Sequence, residues 1–298
     1  MTAESVPWQL RVLDLDLGAV NASIATNAGP RVLTYGRPWG SQFFADAGSA
    51  TIDHPDSEPF LLLGGHRLWR SPEVPSITYT PDHTDVKVTR LEAGADVEGP
   101  ADQDGIVKRI EVRQAGELTI VTHTLTNTGS APVETAPWAI TQMADGGTAV
   151  LPIADETADP QGLQANRRLV LWPYTDLGQP GIHIDSRYIK IDSRLMGPRT
   201  KVGHANRRGW IAYVIGGEVF VKWAALHDDG ATYPDLGASM QCYREGRLLE
   251  LETVGPLVEL APGSETTHRE TWTIINTEDA DLDDVLDRLP RQPEGVVS

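Results

Sequence analysis

The sequence predicts an all-β protein, an antiparallel supersandwich of large sheets packed face to face, with one short C-terminal helix. Three observations predict it. Glycine (28) and proline (21) are spread through the 298 residues and cut the chain into short segments. Those segments are rich in β-branched residues and alternate apolar with polar. Apolar residues recur at helical spacing only between Asp279 and Leu289.

Taken in order, Phe60-Leu-Leu-Leu63 reads as an apolar strand running into Gly64 and Gly65. Asp82 to Asp104 is expected to be weakly paired and exposed. Ile106–Arg113 and Leu118–Thr126, joined by Gln-Ala-Gly-Glu, alternate cleanly and predict a hairpin. Asn127–Pro132 is the next turn, and a strand follows from Val133 to about Met143. Gly209–Ile215 and Glu218–Ala224 flank Gly216 and Gly217, a two-glycine turn suited to positive φ. Arg247–Val254, Pro256–Leu260 and Thr266–Ile275 predict three consecutive strands. In the tail, acidic residues lead and Leu282, Val285, Leu286 and Leu289 share one helical face. No linker or repeat interrupts the pattern, so residues 1–298 are expected to form one domain.

A chain of this length buries roughly three quarters of its unfolded surface, enough for a core without disulfides. The one cysteine, Cys242, predicts a small buried thiol and a reducing, cytoplasmic setting. Met1–Leu10 carries Glu4 and Pro7 and does not read as a signal peptide. No run approaches the ~18 apolar residues of a membrane span. The net charge of −17 repels phosphate backbones and argues against nucleic acid as a partner. An anionic ligand needs a local arginine cluster against that field. Arg167-Arg168 and Arg207-Arg208 are two such pairs, read here as solvated edges.

Four segments carry candidate chemistry. In Phe60-Leu-Leu-Leu-Gly-Gly-His-Arg-Leu-Trp-Arg-Ser-Pro-Glu73, glycines allow close backbone approach beside His66, Arg67 and Trp69, a titratable ring, a forked cation and a stacking surface. In Leu248-Leu-Glu-Leu-Glu-Thr-Val-Gly-Pro256, strand alternation puts Leu249 and Leu251 on one face and Glu250 and Glu252 on the other, about 7 Å apart. Leu171-Trp-Pro-Tyr-Thr-Asp-Leu-Gly178 offers Trp172 and Tyr174 for stacking on a sugar. The loop His227–Asp235 ends in Asp235, a candidate hydroxyl ligand. There is no phosphate-cradling glycine loop, no Gly-x-Ser-x-Gly elbow and no His-Glu-x-x-His pair. His183 and Asp185 lack further ligands nearby, so neither a metal nor a cofactor is expected.

These segments, in this order, resemble an uncharacterised bacterial family of the galactose-mutarotase-like superfamily, the domain-of-unknown-function group 4380. The likeness rests on Gly64–Trp69, Leu171–Tyr174, Arg208–Tyr213, Leu249–Leu257, Ala261–Gly263 and Glu270–Trp272, and spans roughly residues 10 to 276. The resemblance implies a sugar groove on one sheet face and interconversion of aldose anomers by proton transfer. It implies Glu252 as base and likens His66 and Arg67 to an early-loop pair of the family; His66 is then expected as the acid, and Arg67, Trp69, Trp172, Asp235, Glu250 and Gln142 are expected to hold a small carbohydrate. One departure stands out: mutarotases carry a catalytic histidine where this chain reads Ala139-Ile-Thr-Gln-Met143. Thr141 and Gln142 hydrogen-bond hydroxyls but do not protonate a ring oxygen at neutral pH. His66 is therefore expected to face Glu252 across one pocket, on the order of 5 to 9 Å away. The alternative is a non-catalytic carbohydrate-binding protein on the same scaffold.

Overall fold

The structure, a computed structural model, describes residues 8–293 except 49, 155 and 228. The signal-peptide reading therefore falls largely outside the described residues. The strands are β1 (Val12–Asp16), β2 (Asn21–Ala25), β3 (Arg31–Gly36), β4 (Thr51–Ile52), β5 (Phe60–Leu61), β6 (His66–Ser71), β7 (Lys87–Leu91), β8 (Gly94–Ala101), β9 (Ile106–Ala115), β10 (Leu118–Asn127) and β11 (Val133–Met143). They continue as β12 (Thr148–Pro152), β13 (Val170–Leu171), β14 (Ile182–Ile184), β15 (Tyr188–Asp192), β16 (Thr200–His204), β17 (Trp210–Ile215), β18 (Glu218–Ala224), β19 (Met240–Glu245), β20 (Leu248–Val254), β21 (Val258–Leu260) and β22 (Glu265–Asn276). Three short helices are α1 (Pro75–Thr78), α2 (Pro234–Gly237) and α3 (Leu282–Asp287).

Two sheets dominate. The first runs β1-β2-β3-β6-β11-β20-β19-β16-β13, with β21 also pairing β11. The second runs β14-β15-β12-β17-β18-β22-β10-β9-β8-β7. The predicted hairpins are β9–β10 and β17–β18, and the latter turns on Gly216 and Gly217, both at positive φ. Glycine suits this turn because a side chain in that conformation meets its own carbonyl.

The sheets pack through their inward faces. Leu249 and Leu251 of β20 share one buried cluster with Phe220 of β18 and Trp272 of β22. Tyr35 of β3 reaches across, its ring 5.2 Å from Trp272 and its hydroxyl donating to Thr119 at 2.9 Å. Cys242 of β19 is fully buried in the same cluster.

The outward face of the second sheet is apolar where α3 covers it. Trp210, Val221 and Trp223 pack there against Leu286 and Leu289. Asp281 caps the helix by accepting from the Asp284 amide at 3.2 Å. Asp82–Asp104 departs from expectation. It forms the β7–β8 edge hairpin, and Ala95 and Val97 enter the main core. Small residues between charged ones hid the strand, because its three buried positions, Ala95, Val97 and Gly99, include a single larger aliphatic. No helix among the described residues is long and apolar enough to cross a membrane.

Candidate functional site

The outward face of the first sheet is polar and lined with aromatic rings. Register builds it. On β20, Leu249 and Leu251 take the core, so Glu250 and Glu252 take the outer side. Glu252 pairs with Ile140 on β11 and Gln241 on β19, and Ile140 pairs with Arg67 on β6. Glu250 pairs with Gln142 and Tyr243, and Tyr243 with Lys201 on β16. Two cross-strand rows result, one holding Arg67 and Glu252 and the other Glu250 and Lys201.

Glu252 is completely buried. Its Oε2 accepts from Lys201 Nζ at 2.7 Å and from Trp138 Nε1 at 2.6 Å. Burial pushes the Glu252 carboxyl upward, Lys201 opposes the shift, and Glu250 adds to it. Glu250 Oε1 accepts from Arg67 Nη2 at 2.8 Å and from Gln142 Nε2 at 2.9 Å. Aromatic rings sit against the cations. Lys201 Nζ lies 4.7 Å from the rings of both Trp138 and Trp172, and the Arg67 guanidinium lies 4.1 Å from Trp69.

Five buried polar atoms on this face have no partner among the described residues: Glu252 Oε1, Gln142 Oε1, Gln241 Oε1, and Nε and Nη1 of Arg67. A buried polar atom without a partner costs about 1–3 kcal/mol, so such a group is expected to meet water or a ligand. At the rim, Asp235 accepts from Gln241 Nε2 at 2.9 Å. Asp235 and Leu236 both hold positive φ, at 50° and 55°. Two successive non-glycine residues in that region store backbone strain beside the polar face.

Seven of the eight predicted residues thus meet on or beside one face: Arg67, Trp69, Gln142, Trp172, Asp235, Glu250 and Glu252. His66 does not. Arg67 and Trp69 point outward, so alternation along β6 sends His66 and Leu68 into the inter-sheet core, where His66 is fully buried. The expected His66–Glu252 pair across one pocket is therefore replaced by a sheet standing between them.

Inside that core His66 belongs to a polar chain whose direction a carbonyl fixes. His123 Nδ1 donates to the His268 carbonyl at 2.9 Å, so neutral His123 accepts at Nε2. His66 Nε2 then donates across 2.7 Å, and His66 Nδ1 accepts from Thr141 at 2.9 Å. Thr141 in turn accepts from Lys222 Nζ at 2.9 Å. Lys222 also pairs with Glu270 at 2.9 Å, and Glu270 accepts from Trp272 Nε1 at 2.8 Å. Burial holds all three imidazoles neutral, His123 and His268 down to about 3. His66, His123 and Glu270 bring ligand atoms within 4.8 Å of one another, as a metal site does. The Lys222 ammonium already supplies the cation there, so the residues present do not fit a metal ion.

Trp138, Lys201 and Gln241 were missed in the sequence. Trp138 was findable, since it sits four residues before Gln142 on one predicted strand. Lys201 lies in Thr-Lys-Val-Gly-His, a strand with a single core aliphatic, Val202, and no outward pattern.

No family model matches the sequence, and no curated protein is similar to it. Solved structures do match in shape. A galactose mutarotase-like protein from Lactobacillus casei superposes with a TM-score of 0.58 at 10% identity, over 89% of this chain and 100% of its own. The fold is that of the galactose mutarotase-like proteins. A galactose mutarotase related enzyme from Lactobacillus acidophilus gives 0.52 at 8% identity, over 91% of this chain and 99% of its own. A TPR-domain containing protein from Parabacteroides distasonis gives 0.62 at 13%, over 97% of this chain but 52% of its own. At these identities the likeness is one of fold.

Proposed function

We propose that the outer face of the first sheet binds a free or modified aldose in a cytoplasmic member of group 4380, and that Glu252 exchanges the anomeric proton. The unpartnered Glu252 Oε1 carries the reading, because a buried carboxylate oxygen calls for a hydroxyl donor. The carboxyl raised by burial is a stronger base than an ordinary glutamate. With His66 in the core, Lys201 takes the acid role, its ammonium 2.7 Å from Glu252 Oε2. The hydroxyl and ring oxygens share the anomeric carbon, so an acceptor and a donor side by side reach both. Glu252 takes the hydroxyl proton as Lys201 protonates the ring oxygen. The C–O ring bond breaks as the carbonyl forms. Rotation and the reverse transfers then close the other anomer.

Polarimetry on freshly dissolved aldoses and aldose phosphates tests this. Wild type is expected to speed equilibration, and Glu252→Gln to slow it by about a hundredfold or more. Sugar binding should largely survive, since an amide still hydrogen-bonds hydroxyls. The rate should fall with acid through a pKa above the ordinary ~4.3 of glutamate, because the base must be ionised. A second reading, binding without turnover, draws on the absence of any imidazole from this face among the described residues. It stands if a sugar binds and none equilibrates faster; if none binds, both readings fail.

A further inference from the structure

A cavity is lined by His204 of β16 in the first sheet and by Ile184 and Ile189 of β14 and β15 in the second, and no residue of the candidate face lines it. It measures about 610 Å³ and is walled by Ile153, Leu169, Ile184 and Ile189. Both sequence arginine pairs contribute to it, through Arg167, Arg168 and Arg207. Glu156 is the one carboxylate in the wall among the described residues, and Arg291 outside the wall pairs with it. In a chain of net charge −17 this is a local reversal of sign.

The groups are set for a ligand. Arg167 is anchored through Nε to the Ala154 carbonyl at 3.1 Å, which fixes its guanidinium against the wall. Arg168 forms no hydrogen bond or ion pair among the described residues. His204 of β16 also lines the cavity and is 7% exposed, and its buried Nε2 has no partner among the described residues. Solvated arginines on a rim need nothing more. An unpartnered buried imidazole nitrogen in the same wall does.

We infer that this cavity binds a small organic anion, a carboxylate or phosphate ester with an apolar body. Arg167 and Arg168 hold the anionic end and the isoleucine and leucine side chains cover the rest. Charged forks over an apolar wall select against both bare inorganic anions and neutral molecules.

Calorimetry with hexyl phosphate, hexanoate and inorganic phosphate is the test. Either hexyl anion is expected to bind saturably, and tighter than inorganic phosphate by about tenfold or more. The stronger of the two names the head group. Arg167→Ala/Arg168→Ala, two exposed changes, should weaken binding at least tenfold and leave thermal unfolding unchanged. Bound anion should also move the His204 ring signals in NMR spectra. Glu252→Gln should bind the anion as wild type does, which separates this site from the sugar face. No saturable binding by either hexyl anion overturns the proposal. So does binding that the double variant leaves intact, or that inorganic phosphate matches.

Discussion

Replacing His66 by leucine breaks the chain that runs from Lys222 to the His268 carbonyl. His123 Nε2 loses its donor and Thr141 its acceptor, both in a fully buried setting. The expected cost is roughly 2–6 kcal/mol, from two stranded polar groups at about 1–3 kcal/mol each. Urea unfolding measures it. The folded variant should keep whatever sugar equilibration wild type has, because His66 and Glu252 lie on opposite faces of the sheet. A loss of rate at full stability would restore His66 to catalysis. The histidine was misread for a physical reason. The expectation for His66 follows the chemistry of its loop rather than strand alternation, although on β6 Arg67 and Trp69 already claim the outer side. The same rule, carried from β20 across β11 to β6, puts His66 in the core.

At the scale of elements, the β17–β18 turn is a simple test of local fit. Gly216 sits at φ +60°, and an added Cβ there meets Ser41 Oγ at 2.7 Å. Gly216→Ala should cost about 1–2 kcal/mol, the penalty of a left-handed residue with a side chain, read as a lowered urea midpoint. Such elements were legible because their information is local: alternation on either side of a glycine turn. The β7–β8 hairpin and β16 were not legible, since their partners supply most of their burial. The candidate face lies between these cases. Glu250, Glu252, Arg67 and Trp69 follow from periodicity within one strand. The Lys201–Glu252 contact needs β16, β19 and β20 aligned, and no short stretch of sequence states that alignment.

For the whole molecule, the buried imidazoles set the response to acid. In the folded state His66, His123, His268 and His204 are held below their usual value by burial, the second and third to about 3 and the last to about 4. Unfolded, each titrates near 6.5. Above that pH neither state binds the proton and stability is flat. As pH falls below it the unfolded chain gains protons that the folded one refuses. Stability should drop by about 1.4 kcal/mol per pH unit for each such imidazole, until the folded value is reached. Urea midpoints between pH 8 and 4 check the sign; a plateau continuing to pH 4 would contradict it.

Cys242 has a use that follows from where it sits. Burial raises its thiol well above the ordinary value, so the folded chain holds almost no thiolate. An alkylating reagent reaches it only when β19 opens, which turns the rate of labelling into a clock for that opening. Its neighbours on the strand, Gln241 and Tyr243, stand on the candidate sugar face. A ligand bound there slows the clock by the factor through which it favours the closed state, so the native thiol reports occupancy with nothing engineered into the chain.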